Sequence, residues 1–113
     1  MIYTENEIRE LSDIIVEVVE PHKIILFGSY AYGSPKDDSD VDLLVITNGE
    51  SLSLNDKAKL ATLIYLKKKE KNIRVMYDVF FSNEHDVLQS SGNSGAAYDA
   101  LSKGEVLYER KYQ

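Results

Sequence analysis

Residues 40–47, read Asp40-Val41-Asp42-Leu43-Leu44-Val45-Ile46-Thr47, leave this chain few ways to fold. The run is short and rich in β-branched residues, which predicts a strand rather than a helix. Successive strand side chains point to opposite faces, so Val41, Leu43 and Val45 share one face while Leu44 and Ile46 share the other. A strand apolar on both faces must be covered on both, which calls for helices packed against a sheet. Asp40 and Asp42 break the pattern, because they lie on the Leu44 face at the N-terminal end of an otherwise apolar strand.

The remaining patterns supply the other parts of such a domain. Thr4 and Glu7 have the spacing of a capping box, and Ile8, Leu11, Ile15, Val18 and Val19 then recur at helical intervals until Pro21. Lys23–Phe27, with Ile24, Ile25 and Leu26, reads as a buried strand ending at Gly28-Ser29. Residues 30–32 can start a short helix, and 33–39 form a loop. Residues 48–51 form a turn. A helix is expected over 56–69 with Leu60, Leu63, Ile64 and Leu66 toward the core, followed by a third strand at 73–81, apolar on both faces. Ser82 or Asn83 can cap a short helix to about Gln89. A last helix over 94–103 stops at Gly104, and Glu105–Glu109 adds an edge strand. The expected architecture is α/β (α+β): a small mixed central sheet of three or four strands with helices packed against it, as a single domain over 1–113. The strand order does not follow from the pattern.

Composition narrows the function classes. The 113 residues are 43% hydrophobic, enough for a core. The chain has no cysteine, which excludes thiolate metal sites, disulfides and a cysteine nucleophile. The net charge of −6 argues against direct nucleic-acid binding and suits a basic protein partner. The opening MIYTENEIRE lacks the features of a signal peptide, and no apolar run spans a bilayer, so a cytoplasmic protein is expected. Lys67, Lys68, Lys69 and Lys71 read as a solvated helix end favoured by the helix dipole.

The chemistry starts from the carboxylates. Asp40 and Asp42 point the same way, and Asp78 interrupts the third apolar strand. If the two strands are neighbours, the three carboxylates converge. Two unit charges about 4 Å apart repel by roughly 4 kcal/mol at an effective dielectric near 20. Divalent cations remove that cost, and hard oxygen ligands favour Mg²⁺ or Mn²⁺. Upstream, Gly28-Ser29 follows a buried strand and opens a helix, an arrangement that cradles phosphate on backbone N–H groups and a hydroxyl. Two imitators fail: Ser34-Pro35 stands where a P-loop needs Lys and Ser/Thr, and Leu43 stands where an EF-hand starting at Asp38 needs glycine.

Gly28-Ser29, ten intervening residues and Asp40-Val41-Asp42 together resemble the signature of the polymerase-beta-like nucleotidyltransferases. In size the chain resembles the MNT group of that superfamily, the minimal nucleotidyltransferases paired with HEPN proteins in toxin–antitoxin systems. The resemblance implies the polymerase-beta-like nucleotidyltransferase fold, two Mg²⁺ ions on Asp40 and Asp42, and Asp78 as the third carboxylate. Gly28 and Ser29 match the turn that holds the triphosphate, and Ser39 matches the serine ahead of the first Asp. It further implies an antitoxin that transfers AMP from ATP to a tyrosine of a HEPN RNase toxin. Larger relatives close a second domain over the cleft, so a partner is expected to complete the site here.

Other readings compete. A binding-only antitoxin would have no use for three converging carboxylates, and a small-molecule nucleotidyltransferase needs an acceptor pocket for which 113 residues leave little room. A glycosyltransferase needs a larger nucleotide-sugar fold than this. Among the remaining residues, Tyr30 and Tyr32 are expected to pack the loop, Tyr98 and Tyr108 to serve as core or partner contacts, and His22 and His85 to be bland. Lys36 is expected to be exposed, and Arg74 is a candidate to face the cleft.

Overall fold

Helix α1 (Glu5–Val19) begins where Thr4 and Glu7 close the expected capping box: the Thr4 hydroxyl accepts from the Glu7 N–H at 3.2 Å, and the Glu7 carboxylate accepts from the Thr4 N–H at 3.0 Å. It ends at Glu20, which takes a left-handed conformation (φ 51°) directly before the buried Pro21. The computed structural model describes residues 2–90 and 96–111. Within them follow β1 (Lys23–Phe27), α2 (Ser29–Tyr32), β2 (Val41–Thr47), α3 (Leu54–Glu70), β3 (Tyr77–Asn83), α4 (Glu84–Ser90), α5 (Ala96–Lys103) and β4 (Glu105–Glu109).

The strands form one mixed sheet in the order β3-β2-β1-β4. Strand β1 pairs antiparallel with β2 and β4, whereas β2 and β3 run parallel. The two apolar faces of β2 enter two separate cores. Val41, Leu43 and Val45 pack with Ile24 and Leu26 against Leu11, Ile15 and Ile64 of the α1–α3 layer. Leu44 and Ile46 pack with Ile25 and Phe27 against Val87 of α4 and Ala100 of α5. Double-sided burial of the central strands is what their sequence required.

Several expectations change in detail. Asp40 lies just outside β2 rather than inside it. Helix α3 starts two residues earlier than 56, capped by Ser53, whose hydroxyl accepts from the Asp56 N–H at 3.1 Å. Of its four expected core residues only Ile64 is buried; Leu63 and Leu66 are 50% and 55% exposed, and Leu60 is half-buried. The third strand starts at Tyr77, not 73, although Ile73 and Val75 ahead of it are buried. It is an edge strand in which Tyr77, Val79 and Phe81 are half-buried and Asp78 and Phe80 exposed, so it is not apolar core on both faces. Asn83 is the residue that caps α4, its side-chain oxygen accepting from the Asp86 N–H at 2.7 Å. The expected start of the last helix at Ser94 lies outside the described residues, as does the side chain of Tyr98.

Candidate active site

The site forms where β1 ends, β2 begins and β3 begins. Phe27 pairs with Asp42 across the antiparallel β1–β2 ladder, and Asp42 pairs with Asp78 across the parallel β2–β3 ladder. Residues in register project to the same face, so the carboxylates of Asp42 and Asp78 stand on one face of the sheet. Asp40, two residues before Asp42 and just outside β2, lies near enough for its charge to act on the Asp42 carboxyl. Helices α4 and α5 cover the Leu44 and Ile46 part of this face and stop short of the carboxylates: Asp40 and Asp78 are exposed and Asp42 is half-buried.

Asp42 is the electrostatic centre of the group. Burial pushes its carboxyl above the ordinary range, and the charges of Asp78 and then Asp40 add to the rise. Both neighbouring carboxylates therefore act on Asp42. As they stand, no group of three or more His, Cys, Asp or Glu side chains among the described residues closes round a single point as metal ligands. The donor set nevertheless suits a hard divalent cation: three carboxylates, no nitrogen or sulfur, and a repulsion that such a cation would cancel.

Gly28 takes φ 76° and ψ −156°, a backbone region that only glycine occupies freely. A Cβ there would drive into the Asp42 carboxylate. The turn and the carboxylate are thus in direct contact, and glycine is what permits it. Ser29 follows as the first residue of α2, whose turn is closed by Gly28 C=O accepting from Ala31 N–H at 3.0 Å and Tyr32 N–H at 3.2 Å. Ser39 holds the intervening loop: its hydroxyl accepts from the Lys36 N–H at 2.8 Å, and its own N–H donates to the Lys36 carbonyl at 3.0 Å. That pair sets the chain direction into Asp40.

The side chains set aside as bland mostly are. Lys36 and His85 are exposed. Tyr30 packs, its ring stacked 5.9 Å from Tyr3, and Tyr32 lies under the Lys103 ammonium at 5.7 Å. Tyr108 packs against the α1-side core. Arg74 does not face the cleft; it pairs with Glu7 at 2.6 Å and lies over the Tyr3 ring at 5.1 Å. Lys67 and Lys71 pair with Glu17 at 3.1 and 3.9 Å, which ties the end of α3 to α1. A hollow of about 360 Å³ opens between Tyr3, Ile8, Leu26, Tyr30 and Val106, and none of the three Asp residues lines it.

Reading the sequence missed two groups. Tyr3 was not singled out, yet its hydroxyl accepts from the Met76 N–H at 3.1 Å and its N–H donates to the Tyr30 hydroxyl at 3.2 Å. Met76 and Phe80, in a run that reads as core, are exposed beside Asp78. The parity of Asp78 itself carried that signal, since 76, 78 and 80 fall on one face of a strand.

A family model described as "Polymerase beta, Nucleotidyltransferase" matches residues 9–113. Among curated proteins none matches the chain. Solved structures do. A toxin–antitoxin crystallised with AMP-PNP shares 21% identity at a TM-score of 0.57, over 96% of this chain and 76% of that one. Two mutant forms of the toxin–antitoxin MntA-HpeT are also similar. One shares 19% identity at a TM-score of 0.56 over 96% of this chain and 76% of that one. The other shares 20% at 0.55 over 97% and 76%. At these identities the likeness is one of fold.

Proposed function

This chain belongs to the polymerase beta nucleotidyltransferase family, and we propose that it transfers AMP from ATP to a tyrosine hydroxyl of a partner HEPN-family RNase toxin, acting as its antitoxin in the cytoplasm. The observation that carries the reading is the register of Asp42 with Asp78, with Asp40 close enough to act on Asp42 and Gly28 pressed against the Asp42 carboxylate. The fold it shares with toxin–antitoxin structures, one of them holding AMP-PNP, supports the choice of partner and nucleotide.

In this reading Asp40, Asp42 and Asp78 hold two Mg²⁺ ions, with Mn²⁺ an alternative. When bound, such ions neutralise phosphate charge and acidify a hydroxyl. The chain's own residues do the rest. The backbone at Gly28 and the hydroxyl of Ser29 hold the triphosphate, and Ser39 fixes the loop that delivers Asp40. The acceptor oxygen attacks the α-phosphorus in line and its proton passes to the Asp78 carboxylate. As the new O–P bond forms, the bond from the α-phosphorus to the α–β bridging oxygen breaks and pyrophosphate leaves. No covalent enzyme intermediate is needed, because positioning and charge neutralisation carry the reaction.

The test is to combine the chain with the product of its neighbouring gene, Mg²⁺ and each labelled triphosphate, and to read both proteins by mass spectrometry. AMP on a partner tyrosine is the expected result, lost when Asp40 and Asp42 are both changed to Asn. Neutralisation of the toxin that survives this double change, in a folded protein, would mean masking by binding alone.

A further inference from the structure

Strand β3 and the residue directly before it carry two exposed apolar side chains that the carboxylates do not explain. From 75 to 81 the odd positions Val75, Tyr77, Val79 and Phe81 belong to the α1–α3 side of the sheet. The even positions lie with Asp78 on the other face, and there Met76 is 59% and Phe80 43% exposed. Phe80 is held in place: its ring sits 5.6 Å from that of the buried Phe27, tilted by 54°. Met76, whose carbonyl accepts from the Val41 N–H at 2.9 Å just ahead of the edge strand, thus forms a row with Asp78 and Phe80, with an apolar side chain on each side of a carboxylate.

We propose that Met76 and Phe80 form the acceptor subsite of the transfer reaction and hold the ring of the side chain that receives the nucleotide. The proposal rests on the nucleotidyl-transfer reading above and adds where the acceptor lies. Same-face neighbours on a strand are about 6.6 Å apart. An aromatic ring stacked on Phe80 at the usual centroid distance of about 4.5–7 Å, with its long axis along the strand, brings its hydroxyl to Asp78. Met76 closes the other side, since a thioether packs well against a ring edge. A serine or threonine hydroxyl reaching Asp78 would leave Phe80 bare. The nucleobase is the weaker candidate for this row. Gly28 and Ser29 lie on the β1 side of Asp42, whereas Asp78 and Phe80 lie on its β3 side, so donor phosphates and row flank Asp42 oppositely.

The row is tested by titrating N-acetyl-tyrosinamide and, separately, N-acetyl-serinamide into isotope-labelled protein with Mg²⁺ and AMP-PNP present. The expected result is amide shift changes centred on residues 76–80 with the tyrosine derivative alone. Phe80→Ala should weaken its binding by about fivefold or more, and Phe80→Leu by less. Met76→Ala, at an exposed position, provides a second variant should Phe80→Ala fold poorly. Shift changes centred elsewhere overturn the proposal, as does a loss confined to AMP-PNP affinity in Phe80→Ala. The two readings fail separately. Tyrosine binding at 76–80 without any AMP transfer keeps the row and sinks the transfer reading. Transfer whose acceptor KM ignores both substitutions keeps the enzyme and sinks the row.

Discussion

Asp42 and Asp78 stand directly opposite one another in the parallel register of β2 and β3. Neighbouring strands are about 4.8 Å apart, and like charges placed opposite each other on one face destabilise a sheet. A sheet built only for stability would set a lysine or an apolar residue at one of the two positions. Here a third carboxylate, Asp40, adds to the repulsion, and burial adds again at Asp42. The arrangement opposes folding, a cost that a bound divalent cation would offset.

Asp42→Asn should therefore separate stability from activity. Without divalent cations the variant should melt about 1–3 °C higher, because relief of a half-exposed repulsion contributes a few tenths of a kcal/mol. Nucleotide transfer should fall by roughly 10²–10³-fold, the equivalent of several kcal/mol of lost charge stabilisation. Calorimetry and a labelled-ATP assay on one preparation check both. A variant that melts lower and still transfers AMP would contradict the assignment.

The pH dependence follows from the same group. Burial, Asp78 and Asp40 raise the Asp42 carboxyl in the folded state above its unfolded value near 3.9. Between those two values the folded state binds the extra proton, so stability falls as pH rises from about 4 through the raised value and then levels off. Glu7 acts in the opposite sense. Hydrogen bonds from the Thr4 backbone and the Arg74 side chain lower it, so its contribution is present above the unfolded carboxyl value and lost as pH falls. Subtracting the profile of Asp42→Asn isolates Asp42. Millimolar Mg²⁺ should raise Tm more at pH 7 than at pH 4, where a protonated carboxyl binds cations poorly. An Mg²⁺ shift that persists in the Asp40→Asn, Asp42→Asn double variant would place the cation elsewhere.

Much of this was legible in the sequence because local rules and the fold agree. Strands Lys23–Phe27 and Glu105–Glu109 lie where their patterns put them, and Asp42 and Asp78 fall opposite each other because their strands are neighbours. Strand order depends on long-range pairing and left no local mark. Helix α3 misled because its apolar residues do not share a side. At about 100° per residue, Leu66 stands some 200° round from Ile64 and faces water. The buried side is completed by Lys57, Lys67 and Lys68, half-buried and able to cover apolar surface with their stems. Strand β3 misled because a run of Val, Tyr and Phe looks alike at an edge and at the centre of a sheet.

Gly28→Ala tests the contact between turn and carboxylate. The backbone at φ 76° and ψ −156° strains any residue with a Cβ, at about 1–3 kcal/mol, and the added methyl would also collide with the Asp42 carboxylate. A loss of about 1–3 kcal/mol in urea denaturation, with transfer reduced at least tenfold, is expected. At Gly49, also at positive φ (80°) but open around its Cβ position, Ala should cost stability alone and leave transfer intact.

Tyr3→Phe asks whether the N-terminal segment positions the site or merely covers it. The Tyr3 ring stacks on Tyr30, which follows the Gly28-Ser29 turn, while its hydroxyl accepts from the N–H of Met76, two residues before Asp78. One side chain thus ties the segment after the Gly28-Ser29 turn to the strand that carries Asp78. Phenylalanine keeps the ring, and the hydrogen bond from the residue 3 N–H to Tyr30 is a backbone one that survives. Only the tether to Met76 is cut. That N–H is at an exposed residue and can turn to water, so stability should fall by no more than about 0.5–1 kcal/mol. A positioning role predicts a several-fold drop in kcat with the KM for ATP unchanged, since small displacements at a reacting centre are costly. Faster hydrogen exchange at Met76 and Asp78 should accompany it. If kcat holds while only Tm moves, Tyr3 is a structural cover, and the placement of Asp78 comes from its register with Asp42 alone.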